Sequence, residues 1–496
     1  MNKIKSLNQN GILEISQKVE DYETSLTEDK KSYFGIYYTP QKLVKFMLDL
    51  VEVNNTDKIL EPGCGTGNFV IPLIERLKHT NKNRFLDNLF AIDSDETAIK
   101  ILINQVGESK NIISASFLSD SQIDKQSYDL IIGNPPYGAK LSKIEKEYCK
   151  HKYSQISGKN LRTESLFLIK AITLLKPGGT LCFLLPNTIL RVNTYSRVRS
   201  FIKKTCSIEK IIDIDRAFKF VGYEMIILVL RKLPYKSNKN IEIITDIKDF
   251  EKKVYSIHYL SKDFVNKRDI IPMYLSNQLI SLINKIEIKS TKLRDISKSI
   301  YRGIPINASE TKTYLKANEG EYLPVLRGRD IGKYKIKQTT TYIKATPKLK
   351  RYIKNLTGEK LLIQNLAYRI VATYDKKNQI VLDTINILKL KKGFDYKYIL
   401  GIINSELMEF YFKIMITNNA ALNIHLDTPY LGEIPIRISN AIDKNKIIKL
   451  VDSLLNKDEN DLKLYDKLNK EVYKLYNIED TELLKIKNFL SKGYGI

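Results

Sequence analysis

Residues 59–69 read ILEPGCGTGNF. A short apolar stretch runs into an acid, a proline and glycines at alternate positions, Gly63, Gly65 and Gly67. This predicts a buried strand, a loop with unusual backbone freedom, and a helix from about Phe69. Glycines after a strand let main-chain atoms approach a ligand at the carboxyl edge of an α/β sheet. The spacing is G-x-G-x-G, not the dinucleotide pattern G-x-G-x-x-G, so the loop alone marks a ligand edge without naming the ligand. Glu61 stands just before it and offers a carboxylate to a cationic group.

The chain on either side repeats the strand pattern. LFAID (89–93), NIISA (111–115), YDLII (128–132), TLCFLLP (180–186), IEKIIDI (208–214) and EMIILVLRK (224–232) all read as strands. Helical segments lie between them. TPQKLVKFMLDLV (39–51) is one, with Thr39 as a candidate cap; another starts at Glu96; LRTESLFLIKAITLL ends at KPGG (176–179). Nearly continuous apolar strands alternating with helices predict a parallel sheet covered on both faces. The expected fold class is α/β, Rossmann-like, with a mostly parallel seven-stranded sheet whose last strand runs antiparallel.

After Lys236 the rhythm changes. PYKSNKN reads as a linker. Residues 290–440 mix short strands, Tyr-rich segments and turns, and 441–490 look helical and charged. There Leu450, Val451, Leu454, Leu455, Leu462, Tyr465, Leu468, Val472 and Leu475 recur at helical spacing. The expected division is 1–34 as an N-terminal extension, 35–235 as the α/β domain and 236–289 as a linker region. A mixed α+β domain at 290–440 and C-terminal helices at 441–496 complete it.

Composition narrows the function classes. A chain of 496 residues exceeds one ordinary core, and its net charge of +25 favours a polyanionic partner. General richness in Lys, Ile and Asn would produce the same excess. No apolar run is long enough to span a bilayer, and the N-terminus lacks the apolar centre of a signal peptide. A cytoplasmic, bacterial or phage-like protein without a membrane partner is expected. The four cysteines and four histidines lack metal-ligand spacing, so neither a metal site nor a disulfide frame is expected.

The strand ends carry the chemistry. Asp93 closes the second strand, where a carboxylate can accept both hydroxyls of a ribose. Asp95 suits the cap of the next helix. Phe117, beyond the third strand, suits either a flat ring or the core. Together they suggest a nucleoside-bearing ligand. The fourth strand runs into GNPPYG (133–138). Taken alone, that stretch is equally a turn.

The segments YTPQKLVKFM, ILEPGCGTGNF, AIDSD, DLIIGNPPYG, SLFLIKAITLLKPGGTLCFLLP and FKFVGYEMIILVL occur in this order. Their order resembles that of N6-adenine DNA methyltransferases of the gamma type, to which the TaqI methyltransferase belongs. The resemblance covers roughly residues 35–235. It extends more loosely over 290–440, where YLPVLRGRDI, YILGIINSELMEFY and YLGEIPI look like a DNA target recognition domain. It implies S-adenosylmethionine as methyl donor, no metal, and double-stranded DNA as partner. The implied activity is site-specific methylation of the exocyclic amine of a flipped-out adenine.

The resemblance gives GNPPYG a chemical role. The adenine amine is a poor nucleophile because its lone pair is delocalised into the ring. Asn134 Oδ1 and the Pro135 carbonyl would accept its two hydrogens and push the nitrogen toward tetrahedral geometry. Pro135 and Pro136 stiffen the loop so that the acceptors are preset. Tyr137 would supply a π-face for the extruded base. Phe218 is the implied second base contact, with Phe220 a competitor two residues away. The implied cofactor set is Thr39, Glu61, Gly63, Gly65, Gly67, Asp93, Ser116, Phe117 and Asn134. Here the sequence departs from the pattern, since Ser116 stands where the family often has an acid that bonds the cofactor's adenine amine.

Residues 138–160 read as a long basic loop that orders on DNA. From Lys333 to Lys360 there are nine Lys or Arg and one acid, with Tyr334, Tyr342 and Tyr352 interspersed, which suits phosphate contact with some stacking or a solvated face. Arg302, Arg327, Arg329 and Arg369 are candidate guanine readers. Rival functions are RNA adenine-N6 methylation, protein glutamine methylation and a non-catalytic DNA-specificity subunit. The second domain argues against the protein substrate, and intact motifs argue against the non-catalytic subunit. The stretch before Thr39 is too short for a nuclease domain. A stand-alone, monomeric methyltransferase is expected, with room for a separately encoded restriction endonuclease.

Overall fold

The computed structural model describes residues 22, 24–27, 39–78, 85–125, 127–158, 161–215, 224–235, 238–305, 322–353, 356–367, 369–418, 424–426, 428–457 and 461–491. The chain forms two compact units, Met1–Met273 and Tyr274–Ile496.

The first unit is built on one sheet. Its strands are β1 (Ile59–Pro62), β2 (Leu89–Asp93), β3 (Ile112–Ser114), β4 (Tyr128–Gly133), β5 (Leu175–Pro186), β6 (Cys206–Asp215), β7 (Met225–Lys232), β8 (Asn240–Asp249) and β9 (Val254–Ser261). They lie in the order β3-β2-β1-β4-β5-β7-β6-β8-β9. β1 pairs parallel with β2 on one side and β4 on the other, which opens a crevice at their carboxyl ends. β7 runs antiparallel between β5 and β6, as the short β6–β7 connection predicts.

The expected seven strands are present, and two more extend the sheet. β8 pairs parallel with β6, and β9 pairs antiparallel with β8. The stretch 236–289 is therefore not a linker. Its IEIITDI pattern puts Ile241, Ile243 and Ile244 into the core, a strand signal that the turn-rich PYKSNKN before it obscured. The first unit ends at Met273 rather than near 235.

Two further expectations change. Pro40 caps the helix Gln41–Asp49 without a side-chain bond, so Thr39 is not its cap. Residues 143–157 form a helix, Lys143–Ser157, instead of a loop. Ser142 and Glu145 make its capping box: Ser142 Oγ accepts from Glu145 N, and Glu145 Oε2 accepts from Ser142 N. The S-x-x-E spacing was legible, but the lysines around it masked the helix period. The next helix, Thr163–Leu174, is buried almost all round. Its two charged side chains inside the unit have partners. Lys170 meets Asp124 Oδ1 at 2.6 Å, and Glu164 Oε1 accepts from Tyr195 Oη at 2.6 Å.

The second unit holds a four-stranded antiparallel sheet of Ser297–Arg302, Ile385–Leu390, Lys360–Gln364 and Ala372–Asp375, in that order. The helices Ala441–Asn456 and Leu462–Leu475 bury Val451, Leu454, Leu468 and Val472, as their spacing predicts, while Leu462 is exposed. Gly401, in the helix Tyr396–Ile403, lets that helix approach them: a Cβ there would lie 2.8 Å from Ile447 Cγ2 and 3.0 Å from Val451 Cγ2. The C-terminal helices thus share one compact unit with the mixed α+β part. No helix among the described residues is long and apolar enough to cross a membrane.

Candidate active site

A cleft opens at the carboxyl ends of β1 to β4, with about 1050 Å³ of empty space when the open solvent at its mouth is included. Of the residues singled out from the sequence, Thr39, Glu61, Gly63, Gly65, Asp93, Ser116, Phe117, Asn134 and Pro136 line it. Five separate segments of the chain converge here because each follows, or packs beside, a strand in the parallel part of one sheet.

The β1 loop is tied to β2. Gly63 N and Cys64 N both donate to Ile92 O, at 2.8 and 3.2 Å, and Gly65 N donates to Asp93 Oδ2 at 2.8 Å. Gly63 and Gly65 have φ of 72° and 51°, the left-handed region that favours glycine. Gly67 also has positive φ but does not line the cleft. A Cβ there would come 2.5 Å from Leu102 Cδ1, so this glycine serves helix packing.

Two carboxylates face each other's charge at the floor. Asp93 is raised above its ordinary pKa by burial, against the opposing effect of the Asp95 and Gly65 amides. Glu61 is only 2% exposed. Burial pushes its pKa well up, main-chain donation from Val70 opposes that, and the nearby Asp93 charge adds to the rise. Among the described residues Glu61 Oε2 has no hydrogen-bond partner. A buried acceptor left in this state suits a donor or cation that arrives with a ligand. Asp95 is the expected helix cap, accepting from Thr97 N at 2.9 Å and Ala98 N at 3.2 Å. The Tyr22 hydroxyl donates to its other oxygen and also lines the cleft.

Phe117 is both a core and a cleft residue. Its ring packs on Phe167 at 4.9 Å, with Lys170 Nζ 5.0 Å from its centroid. Ser116 does not stand alone: its hydroxyl donates to Glu145 Oε1 at 2.5 Å. Glu145 lines the cleft from the helix that the sequence had concealed as a loop.

The GNPPYG stretch leaves β4 at Gly133. Asn134 and Pro136 reach the cleft, whereas Pro135 and Tyr137 are buried beside it. The Tyr137 ring, 6% exposed, belongs to the apolar core with Cys182 and Leu184. Its hydroxyl lies within hydrogen-bond reach of two acceptors, Asn134 Oδ1 and, at 2.9 Å, Leu184 O, which share its single hydrogen. The face expected to stack on a base is therefore turned inward in this state, because the core takes the ring and two acceptors take the hydroxyl. The loop's exit is pinned by Thr163 Oγ1, which donates to Ala139 O at 2.8 Å. Thr163 and Glu145 are cleft residues that sequence motifs alone did not mark. Phe218 and Phe220 lie outside the described residues.

Residues 20–301 match the family described as N-6 DNA Methylase. The chain belongs to that family. Residues 323–436 match the TaqI-like C-terminal specificity domain, so an N6 DNA methyltransferase domain is followed by a specificity domain. Among curated relatives, the type II methyltransferase M.VspI of Vibrio sp. (strain 343) is 28% identical over 319 residues, 62% of this chain and 74% of its own. The type II methyltransferase M.HindII of Haemophilus influenzae is 29% identical over 285 residues, 56% of this chain and 51% of its own, so the match spans about half of that relative. The type IIL restriction-modification enzyme MmeI, solved in complex with DNA, superposes with a TM-score of 0.60 at 13% identity, over 95% of this chain and 80% of that one. The DrdV–DNA complex gives 0.56 at 12% identity, over 91% and 60%. At these identities the likeness is one of fold.

Within this methylase's second unit the basic stretch is not uniformly a surface. Lys360 is fully buried and meets Asp375 Oδ2 at 2.8 Å. Tyr334 is buried against Tyr465, with ring centroids 5.6 Å apart. Lys333 Nζ donates to Asn404 O at 2.9 Å. These three are interior contacts of the unit, whereas Lys337 and Lys344 of the same stretch are exposed.

Proposed function

We propose that this chain methylates the exocyclic amine of an adenine at a specific sequence in double-stranded DNA, with S-adenosylmethionine as donor. The observation that carries this is the meeting of Asn134 with Asp93, Phe117 and Glu61 in one cleft. An acceptor for the target amine thus stands beside groups that suit a nucleoside with a cationic tail.

The residues present fit that donor. Asp93 would accept the ribose hydroxyls, with the Gly65 and Asp95 amides holding its carboxylate in place. Phe117 would lie against the adenine. Glu61 and Thr39, both buried, would meet the methionine end, where the partnerless Glu61 Oε2 favours positive charge. When bound, the donor supplies an electrophilic methyl group on a sulfonium. The work of the chain is then to position and activate nitrogen. Asn134 Oδ1 and the Pro135 carbonyl would draw the two amine hydrogens and localise the lone pair. Transfer would break the sulfur–methyl bond, leave a neutral thioether and make the amine nitrogen cationic, and the two acceptors would stabilise that charge until a proton passes to solvent. The specificity domain would choose the site, and the exposed lysines would hold the phosphate backbone.

Expression in a methylation-free bacterial host, followed by long-read mapping of modified bases, tests this directly. N6-methyladenine at one recurrent sequence is expected. Modification confined to RNA, or an absence of modified adenine with active purified protein on another substrate, would overturn it.

A further inference from the structure

We propose that Glu145 is the residue that reads the base of the cofactor, accepting a hydrogen bond from its 6-amino group. The inference rests on the cleft being the S-adenosylmethionine site. Four observations lead to it. Glu145 lines the same cleft as Phe117 and Asp93. Asp93 stands at the end of β2 and would take the ribose; Phe117 follows β3 and offers the ring surface beyond it. The Ser116 hydroxyl, beside Phe117, donates to Glu145 Oε1 at 2.5 Å, which fixes the carboxylate next to that surface. Its other oxygen, Oε2, accepts from Ser142 N at 2.8 Å.

The chemistry of the group is suited to an amine. Each carboxylate oxygen can accept a second hydrogen bond, and an ionised carboxylate accepts only. Burial alone would raise the Glu145 pKa, but donation from Ser116 and Ser142 outweighs it and holds the carboxyl below its ordinary value. Ser116 is neutral and its hydroxyl hydrogen is engaged by Glu145, so the charged acceptor at this end of the cleft comes from the helix Lys143–Ser157. The residue lies some distance along the chain from β3. The helix N-terminus brings it back, and its place in the capping box makes the rotamer a part of the helix start.

A structural role for Glu145 as a helix cap predicts a different result from a role in base reading. Calorimetry of the full chain with S-adenosylhomocysteine and with S-inosylhomocysteine separates them, because the inosyl compound carries a 6-oxo acceptor in place of the amino donor. The unaltered protein should prefer the adenosyl compound about tenfold to a hundredfold, the worth of one charge-assisted hydrogen bond. Glu145→Gln keeps size and capping ability, and its amide can donate to the 6-oxo group. It should bring the preference close to one. Ser142→Ala weakens the helix cap but leaves the carboxylate, so it should lower Tm and keep the preference. An unchanged preference in Glu145→Gln overturns the assignment of Glu145 alone. Equal loss of preference in Ser142→Ala also overturns it, by showing that helix position rather than the carboxylate decides. Failure of the unaltered protein to bind either compound overturns the cofactor site itself and this inference with it.

Discussion

Tyr137 donates its hydroxyl hydrogen to Asn134 Oδ1, the oxygen proposed to accept from a target amine. An incoming adenine and the tyrosine hydroxyl therefore compete for one acceptor. Tyr137→Phe removes the competitor and keeps the ring, so single-turnover methylation should stay within about tenfold of the unaltered protein. Asn134→Ala removes the acceptor and should cost about 10²–10³ in that rate while DNA binding survives. Tyr137→Ala empties a core position and should cost about 3–5 kcal/mol in denaturant melts, so its base capture is compared on the folded fraction. With 2-aminopurine at the target position, fluorescence on binding should persist in Asn134→Ala and fall in Tyr137→Ala. Near-normal methylation by Asn134→Ala would return GNPPYG to the status of a plain turn.

Asp93 has two tasks, bracing the Gly65 and Asp95 amides and facing the cleft. Asp93→Ala should weaken S-adenosylmethionine binding by roughly 1.5–3 kcal/mol for each charged hydrogen bond lost. Calorimetry on the folded variant measures it, and an unchanged Kd counts against the ribose assignment.

Glu61 should make stability depend on pH. Burial first, with the Asp93 charge adding to it, places its folded pKa well above the ordinary value. The folded state then holds the proton more tightly than the unfolded one, so stability falls as pH rises from the unfolded to the folded value. Glu61→Gln should flatten that fall in Tm and make the ligand-free protein more stable above the window. A cationic ligand favours the ionised carboxylate, so cofactor binding should release protons there. The release appears as a dependence of calorimetric enthalpy on buffer ionisation, and it should shrink in the variant. Undiminished release would assign the titration to another group.

Lys360 and Lys337 come from one basic stretch and should behave oppositely. Lys360→Met leaves Asp375 buried without its cation and should cost about 3–5 kcal/mol in denaturant melts. It should leave the salt dependence of DNA binding by the folded fraction unchanged. Lys337→Ala should leave stability nearly unchanged and lower the slope of log K against log salt by about 1. An unchanged slope in Lys337→Ala would remove this residue from the DNA interface.

A fragment 1–236 cuts β8 and β9 from the sheet and uncovers the β6 edge, whereas 1–273 ends at the unit boundary. The shorter fragment should aggregate. The longer one should be soluble, bind the cofactor and lack sequence preference in competition assays. Site preference retained by a soluble 1–273 fragment would move specificity out of the second unit.

The sequence by itself determined the sheet of β1 to β7, the glycine loop, the Asp95 cap and the family. Those signals are local: a run of apolar residues, a spacing of glycines, an acid at a strand end. Tertiary structure decided what local signals cannot carry. It used Lys360 and Tyr334 as core, because burial depends on what packs opposite. It removed the cap role of Thr39 and left it only a cleft wall, and it turned Gly67 from an implied ligand contact into space for Leu102. It drew Tyr137 inward, because Leu184 O and Asn134 Oδ1 satisfy its hydroxyl there. It also set Glu145 beside Ser116, since only a folded helix returns a carboxylate to a strand end far behind it in the chain.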